Sequence, residues 1–330
     1  MAGKLADVAK QAGVSEATVS RVLNGKQGIS DATRAAVLTA LDVIGYERPT
    51  HLRGRTPRMI GLIVPELQNP IFPAFAEVVA GALAQRGFNA VLCTRTGSMS
   101  EAEYVDMLLE RQVSGMVFAG GQYAEADAPH EHYARLLRLR LPVVLVNAAA
   151  EHLDFPRVST DDAVAMEQAH AHLAYLGHER IGLILGPHDH VPSLRKLEAF
   201  ERLAPSPDLV ERTRFSLEGG HAGAARLLAR GVTAIICASD PLALGAIRAV
   251  RRAGMSVPAD VSIVGYDDSV FMSCTDPPLT TVRQPIDALG RAAVELLTGQ
   301  IEGAQVAAEE LFFEPEIIAR GSTASASARR

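Results

Sequence analysis

The chain has 330 residues, of which 48% are hydrophobic and 21% charged, with a net charge of −6 at neutral pH. This balance is typical of a globular protein of two or three domains, and it excludes a membrane span because no apolar run approaches the roughly 18–20 residues required. The N-terminus has no signal-peptide core, so we expect a cytoplasmic protein. Three widely spaced cysteines, Cys93, Cys237 and Cys274, are expected to remain free thiols.

The net charge conceals an asymmetry between the two ends of the chain. Residues 1–58 contain nine Lys/Arg and five Asp/Glu, a net charge of +4, whereas the remainder carries −10. A basic head on an acidic body places any contact with a polyanion at the N-terminal end.

Three short helices are predicted at the N-terminus. The first covers 5–12, where apolar side chains recur at helical spacing. Ser15 is the predicted cap of a second helix that runs to Asn24, and Ser30 caps a third. We assign these helices to a small all-α head.

From Met59 onwards, short apolar runs alternate with amphipathic helical stretches such as 72–86, 163–176 and 241–253. The predicted strands are 59–64, 89–94, 115–119, 142–146, 181–186, 233–238 and 261–265. Such alternation predicts parallel strands buried on both faces, and we expect two Rossmann-like lobes with a ligand cleft between their carboxyl strand ends.

The predicted domains are a head over 1–47, a short basic linker over 48–58, a two-lobed body over 59–320 and a disordered tail over 321–330. Lobe 1 is assigned to about 59–160 and 286–308, and lobe 2 to about 161–283 and 309–320.

The head has the features of a helix-turn-helix. Ala9 supplies a small inward residue, Gly13 a tight turn, and the second helix opens with short polar residues that allow close approach to the major groove. Arg21 can read guanine in bidentate fashion. The predicted DNA-contacting residues in this segment are Ser15, Glu16, Ala17, Thr18, Ser20, Arg21 and Asn24. The alternative is a plain three-helix core with solvated polar residues.

Leu5–Gly25 resembles the head of the lactose-repressor (LacI/GalR) family of bacterial transcriptional regulators. Further matching segments follow in order, and they cover nearly the whole chain: Ile29-Ser30, Gly45-Tyr46, 60–65, 69–72, 176–178, 238–240, 243–245, 264–268 and 278–284.

The resemblance implies homodimers that bind palindromic operators, and an effector cleft like that of periplasmic sugar-binding proteins. The effector residues that it implies are Phe72, Asn147, Asp161, Lys196, Ser239, Asp240 and Asp267. The family's arginine positions hold Leu194 and Lys196 here, which is a departure. A saccharide is the expected effector, followed by a nucleobase or a phosphorylated metabolite, and its action as inducer or corepressor is left open.

The linker also departs from the family pattern. It is several residues shorter than usual, and Leu52 is the candidate for the leucine that wedges into the minor groove. The alternative is a linker leucine that packs on the body.

Other functions receive little support. The His-x-His pair at 170/172 falls on a predicted helix, where side chains two residues apart point in different directions. The pairs at 130/132 and 188/190 fall in predicted loops without a third or fourth ligand nearby, so no metal is expected. Nucleotide-binding and nucleophile motifs do not occur, so neither an enzyme nor a cofactor is expected. A stand-alone sugar-binding protein is the alternative to a regulator, and the basic head argues against it.

Overall fold

The protein is described from a computed structural model, which covers residues 2–23, 29–44, 58–95, 99–147, 153–204 and 207–326. The chain forms two compact units that divide after Arg58. None of the helices in these ranges has the length and apolar character needed to cross a membrane.

The N-terminal unit contains three helices, α1 (Ala2–Ala12), α2 (Glu16–Leu23) and α3 (Asp31–Val43). The hydroxyls of Ser15 and Ser30 each accept a hydrogen bond from the amide three residues on, at 3.2 Å, which confirms both predicted caps. The predicted end of the second helix, Asn24, lies outside the described residues, as does Gly45, the residue that the sequence predicts to end the third helix. The three helices share a buried core of Val8, Ala9, Val19, Val22, Leu23, Val37, Ala40 and Leu41.

The body contains twelve strands within the described ranges: β1 (Arg58–Val64), β2 (Phe88–Thr94), β3 (Gly115–Ala119), β4 (Val143–Val146), β5 (Arg157–Thr160), β6 (Ile181–Leu185), β7 (Val210–Arg212), β8 (Ala234–Cys237), β9 (Ser262–Asp267), β10 (Thr280–Arg283), β11 (Glu310–Phe313) and β12 (Glu316–Ile318). Its helices are α4 (Ile71–Gln85), α5 (Glu101–Glu110), α6 (Glu131–Leu139), α7 (Asp162–Tyr175), α8 (Val191–Leu203), α9 (Leu217–Ala229), α10 (Asp240–Arg252) and α11 (Ile286–Ile301).

These strands form two six-stranded sheets, in the orders β11-β5-β4-β3-β1-β2 and β12-β10-β9-β8-β6-β7. In the first sheet the neighbours from β11 to β1 run parallel. In the second sheet only β12 is antiparallel, where it joins β10. Each sheet is the centre of one lobe, because helices that pack on both faces bury its central strands. The predicted two-lobed α/β body is therefore confirmed.

One predicted lobe boundary is wrong. The sequence predicts that residues 309–320 belong to lobe 2, yet β11 pairs in parallel with β5 at the edge of the first sheet, with Phe313 opposite Thr160. The chain therefore crosses into lobe 2 between β11 and β12. Crossings also follow β5 and β10, so three segments connect the lobes.

The predicted disorder of the tail is also wrong for residues 321–326. The buried hydroxyl of Ser322 donates to the Ile263 carbonyl at 2.6 Å and accepts from the Thr280 amide at 2.8 Å. The Ala326 amide donates to the Leu176 carbonyl at 2.8 Å. Small residues are typical of disordered tails, but here they allow the backbone to approach lobe 2 closely and form these bonds. The last four residues of the predicted tail lie outside the described residues.

Replacement of Ser322 by alanine is expected to destabilise the body by about 1–3 kcal/mol, because a buried amide and a buried carbonyl each lose their partner. Thermal unfolding of the full chain measures this loss. Ser325→Ala is the matched control, since Ser325 is exposed and its replacement should change stability by less than about 0.5 kcal/mol. Equal melting temperatures for the two variants would contradict the structural role of the tail.

Candidate functional site

A cleft of about 650 Å³ lies between the two lobes of the body. Its wall includes residues at or just beyond the carboxyl ends of strands in both sheets, namely Pro65, Ala119, Val146, Ala238 and Asp267. Parallel sheets place ligands at this edge, because the loops and helix N-termini converge there. The structure brings five of the predicted effector residues into this wall: Phe72, Asn147, Lys196, Ser239 and Asp267.

The buried carboxylate of Asp267 joins the two lobes at the floor of the cleft. One of its oxygens accepts from the Asn69 amide nitrogen at 3.0 Å, across from lobe 1, and the other accepts from the Gln284 amide nitrogen at 2.7 Å. A carboxylate offers about four acceptor positions, so capacity remains for the hydroxyls of a ligand. The Asp267 backbone has φ +118°, a sparsely populated conformation of the kind found at functional sites.

A second polar chain continues from Gln284 into lobe 1. The Gln284 side-chain oxygen accepts from the Asn147 amide at 3.0 Å and from the Thr160 hydroxyl at 2.9 Å. The Asn147 side-chain oxygen accepts from the Thr160 backbone amide at 2.8 Å. The orientation of Asn147 is therefore tied to β5 and to the segment that follows β10, both of which lead into crossings between the lobes.

Burial, together with the charge of Asp240, raises the pKa of the Asp267 carboxyl to about 7 against the opposing hydrogen bonds from Asn69 and Gln284. Burial also raises the pKa of Asp240, to about 6. In contrast, burial lowers the pKa of His190 to about 3, so this imidazole in the cleft wall is neutral at physiological pH.

Lys196 is buried and forms an ion pair with Asp162. Its ammonium group lies 4.0 Å from the centre of the Tyr266 ring, whose hydroxyl donates to the same Asp162 carboxylate at 3.1 Å. All three residues line the cleft. The positive charge of Lys196 is therefore largely neutralised by Asp162 of the same lobe, which makes this lysine a poor anchor for an anionic ligand.

Two predicted effector residues lie outside the cleft wall, which corrects their assignment. Asp161 caps α7, where it accepts from the amides of Ala163 and Val164 at 3.0 and 3.1 Å. Asp240 is fully buried within lobe 2 and accepts from Ser269 and Thr281. In each case the neighbouring residue faces the cleft instead, since Asp162 and Ser239 both line it.

Three residues outside the predicted set complete the site. Asn69 and Gln284 stand at the ends of two segments that resemble the family, 69–72 and 278–284, so the sequence does contain a signal for both residues. Phe215 faces the cleft from lobe 2, where its ring packs so closely on Gly186 that an added Cβ would lie 2.2 Å from it. Phe72 lines the cleft from lobe 1, so each lobe contributes an aromatic ring.

The predicted DNA-contacting face of α2 is directed outwards. Ser15, Glu16, Ala17, Ser20 and Arg21 are exposed and Thr18 is half-buried. On the opposite face, Val19, Val22 and Leu23 are buried in the head. Two further predicted contacts, Asn24 and Leu52, lie outside the described residues.

Two histidines of the His-x-His pairs make other contacts in the structure. His132 contacts Glu101 at 3.0 Å, and His190 contacts the Ser193 hydroxyl at 2.9 Å. Within the part of the chain that the structure describes, no group of three or more His, Cys, Asp or Glu side chains is placed to hold a metal ion.

Comparison with known proteins identifies both parts of the chain. Residues 4–49 match the family of bacterial regulatory proteins called the lacI family, and residues 170–323 match a periplasmic binding protein-like domain. The HTH-type transcriptional regulator MalR of Streptomyces coelicolor is 49% identical over 341 residues, which cover 100% of this chain and 99% of MalR. DegA of Bacillus subtilis is 32% identical, with 96% of this chain and 97% of DegA covered.

Two solved structures are also similar. The CelR–cellobiose complex is 32% identical with a TM-score of 0.72, covering 96% of this chain and 99% of that one. The lac repressor dimer bound to operator is 27% identical with a TM-score of 0.78, covering 96% and 98%. The head, the two-lobed body and these full-length matches together show that the chain belongs to the lacI family and is a transcriptional regulator, not an enzyme.

Proposed function

We propose that this regulator binds palindromic operator DNA as a homodimer, and that a neutral saccharide in the interlobe cleft controls its affinity for DNA. The observation that carries the effector class is the polar floor around Asp267 beside two aromatic rings. Carboxylate and amide groups match sugar hydroxyls, which both donate and accept, while an aromatic ring packs on the apolar face of a sugar.

The charge of the cleft supports a neutral ligand. Its wall contains more acidic than basic side chains: Glu66, Glu125, Asp162, Asp189 and Asp267 against Arg95, Lys196 and Arg214. Lys196 is paired with Asp162, and Arg95 lies 3.5 Å from Glu125. A phosphorylated metabolite would enter a site of net negative charge, which disfavours it.

The similar structures support both halves of the proposal. CelR is described in complex with cellobiose, and the lac repressor as a dimer bound to its operator. A cleft of about 650 Å³ falls within the size of small-molecule sites, roughly 300–1,000 Å³. We therefore place a disaccharide first among the candidate effectors.

The deciding experiment measures binding of the full chain to DNA from beside its own gene at several salt concentrations. Neutral mono- and disaccharides, sugar phosphates and nucleosides are added in turn. We expect palindrome-specific binding that falls steeply with salt and changes when one neutral disaccharide is added. A response only to a sugar phosphate or a nucleoside would overturn the effector class. Absence of palindrome-specific binding would overturn the proposed operator.

Leu52→Ala is expected to reduce both the DNA bend angle and operator affinity, if the leucine wedges between base pairs as we propose for the short linker. Circular-permutation gel shifts or energy transfer across end-labelled DNA would measure the bend. Leu52→Ile, which retains an apolar wedge, is the control and should keep most of the bend. An unchanged bend angle in the alanine variant would show that the linker works without a wedge.

A further inference from the structure

A loop of lobe 1 reaches across the mouth of the cleft to lobe 2. This segment, residues 120–127, follows β3 and is called the clasp loop below. Glu125 forms an antiparallel bridge with His190, and the Ala126 amide donates to the Asp189 carbonyl at 2.8 Å. Neither Ala126 nor Asp189 belongs to a crossing segment, so this contact connects the lobes separately from the covalent crossings.

The clasp loop also forms part of the effector site. Gly120, Gly121, Ala124 and Glu125 line the cleft on one side of the contact, and Asp189 and His190 line it on the other. A ligand in the cleft therefore lies against the same backbone that joins the lobes, so separation of this contact would widen the opening to solvent.

A buried carboxylate beneath the cleft anchors the clasp loop. Glu101, the first residue of α5, is 3% exposed. One of its oxygens accepts from the Gln122 backbone amide at 3.1 Å. The other contacts His132 at 3.0 Å and accepts from the Tyr133 hydroxyl, which in turn accepts from the Tyr123 backbone amide at 3.1 Å. Two backbone amides of the loop are thus held, directly or through Tyr133, by one carboxylate.

The backbone of the loop fits this anchor closely. Gly121 has φ +148°, and a Cβ added there would lie 2.4 Å from the Glu101 carboxylate. The Tyr123 hydroxyl accepts from the Gly120 amide at 2.5 Å and lies 2.9 Å from the Phe118 carbonyl. The loop therefore leaves β3 in a conformation that the buried cluster determines.

We propose that the clasp loop is a closure of the effector cleft, which must release Asp189 before a ligand exchanges, and that Glu101 is the positioning residue that holds it. This inference rests on the effector role of the cleft proposed above. It extends that role, because the contact between Ala126 and Asp189 would control ligand exchange and lies away from the polar groups around Asp267.

A disulfide across the clasp tests the closure. Beside the bridge between Glu125 and His190, the exposed side chains of Asp127 and His188 approach each other to 3.8 Å between Oδ2 and Nε2, and neither lines the cleft. Asp127→Cys/His188→Cys is made with the exposed Cys274 replaced by serine. We expect mild oxidation to form the cross-link, and binding and release of maltose or cellobiose to become slower by roughly tenfold or more until reductant is added. Failure to cross-link, or equal exchange rates, would overturn the clasp.

The rate of cross-linking tests Glu101 without any ligand. Glu101→Gln places an amide donor against the Gln122 or Tyr133 donor, so we expect disulfide formation to slow by roughly tenfold. A merely structural role would lower the melting temperature and leave this rate unchanged. If no sugar binds the reduced protein, the saccharide proposal fails while the cross-linking rates still decide the clasp.

A second variant removes a single hydrogen bond. Glu125 has φ −107° and ψ 112°, which suits a residue before proline, so Ala126→Pro removes the amide that donates to Asp189 without requiring Glu125 to move. We expect disaccharide release to accelerate roughly two- to tenfold, since a typical hydrogen bond contributes about 0.5–1.5 kcal/mol. Ala126→Ser retains the amide and should release the sugar at the parent rate. Equal rates for both variants would overturn the role of this contact.

Discussion

Asp267→Asn is expected to abolish the response to sugar while operator binding stays intact. The substitution keeps the size of the side chain, and asparagine tolerates positive φ better than most residues, so the strained backbone at φ +118° is preserved. One acceptor becomes a donor that faces the amide nitrogen of Asn69 or Gln284. If Gln284 turned to satisfy it, its contacts with Asn147 and Thr160 would break.

The expected loss of sugar affinity is roughly 10- to 150-fold, since hydrogen bonds to a charged group contribute about 1.5–3 kcal/mol. Calorimetric titration measures the affinity, and fluorescence anisotropy with labelled operator measures the DNA response. Asp161→Asn is the matched control, because Asp161 lies outside the cleft wall and asparagine also caps helices well. If Asp161→Asn lost the response and Asp267→Asn kept it, the site would be misplaced.

The same carboxyl predicts a pH dependence. Its pKa is about 7 in the folded chain, well above the ordinary value for aspartate. Its protonation therefore stabilises the fold fully below about pH 4, and that stabilisation is lost as the pH rises through 7. The melting temperature should fall between pH 5 and pH 8, and it should fall less in Asp267→Asn. Sugar affinity should rise over the same window, because the ionised carboxylate is the stronger acceptor. Identical pH profiles for parent and variant would contradict both expectations.

Arg21→Ala is expected to cost about 1–3 kcal/mol of operator affinity, if the guanidinium reads a base as we propose. Arg21 lies on the exposed face of α2, opposite the buried Val19 and Val22. Its replacement leaves this packing unchanged, so we expect the loss to appear in DNA binding.

A comparison of operator with unrelated DNA separates base reading from charge attraction. Lys10→Ala is the charge-matched control, since Lys10 is exposed on α1 and its loss removes one positive charge away from the recognition helix. Arg21→Ala should reduce the ratio of specific to non-specific affinity, whereas Lys10→Ala should leave that ratio unchanged. An equal loss on both kinds of DNA for Arg21→Ala would show that it contacts only phosphates.

The long central strands could be predicted from the sequence because they are continuous apolar runs. β3 and β6 are buried along their whole length, and each was expected within one residue of its observed bounds. The edge strands β7, β11 and β12 could not be predicted in this way. They have only three or four residues, and β11 and β12 have no buried residue, so no apolar run marks them.

The strand-end rule predicted much of the cleft but could not separate neighbours in sequence. Asp161 and Asp162 both follow β5, and only the start of α7 determines that the first caps the helix and the second faces the cleft. Ser239 and Asp240 differ in the same way after β8. Packing at the helix N-terminus decides which of two adjacent side chains faces the cleft, and no sequence pattern encodes that packing.

The sequence by itself determined the three-helix head with its caps, the parallel two-lobed body and the cleft at the strand ends, because these depend on local periodicity and on the direction of parallel strands. Only the tertiary structure decided that Asn69 meets Asp267, that Phe215 faces the cleft, that the clasp loop reaches Asp189 and that Ser322 is buried. These contacts join residues far apart along the chain. The contacts of Asn69 with Asp267 and of the clasp loop with Asp189 depend on how the three crossings orient one lobe against the other. The positions of Phe215 and Ser322 depend on packing within lobe 2, and local sequence encodes neither.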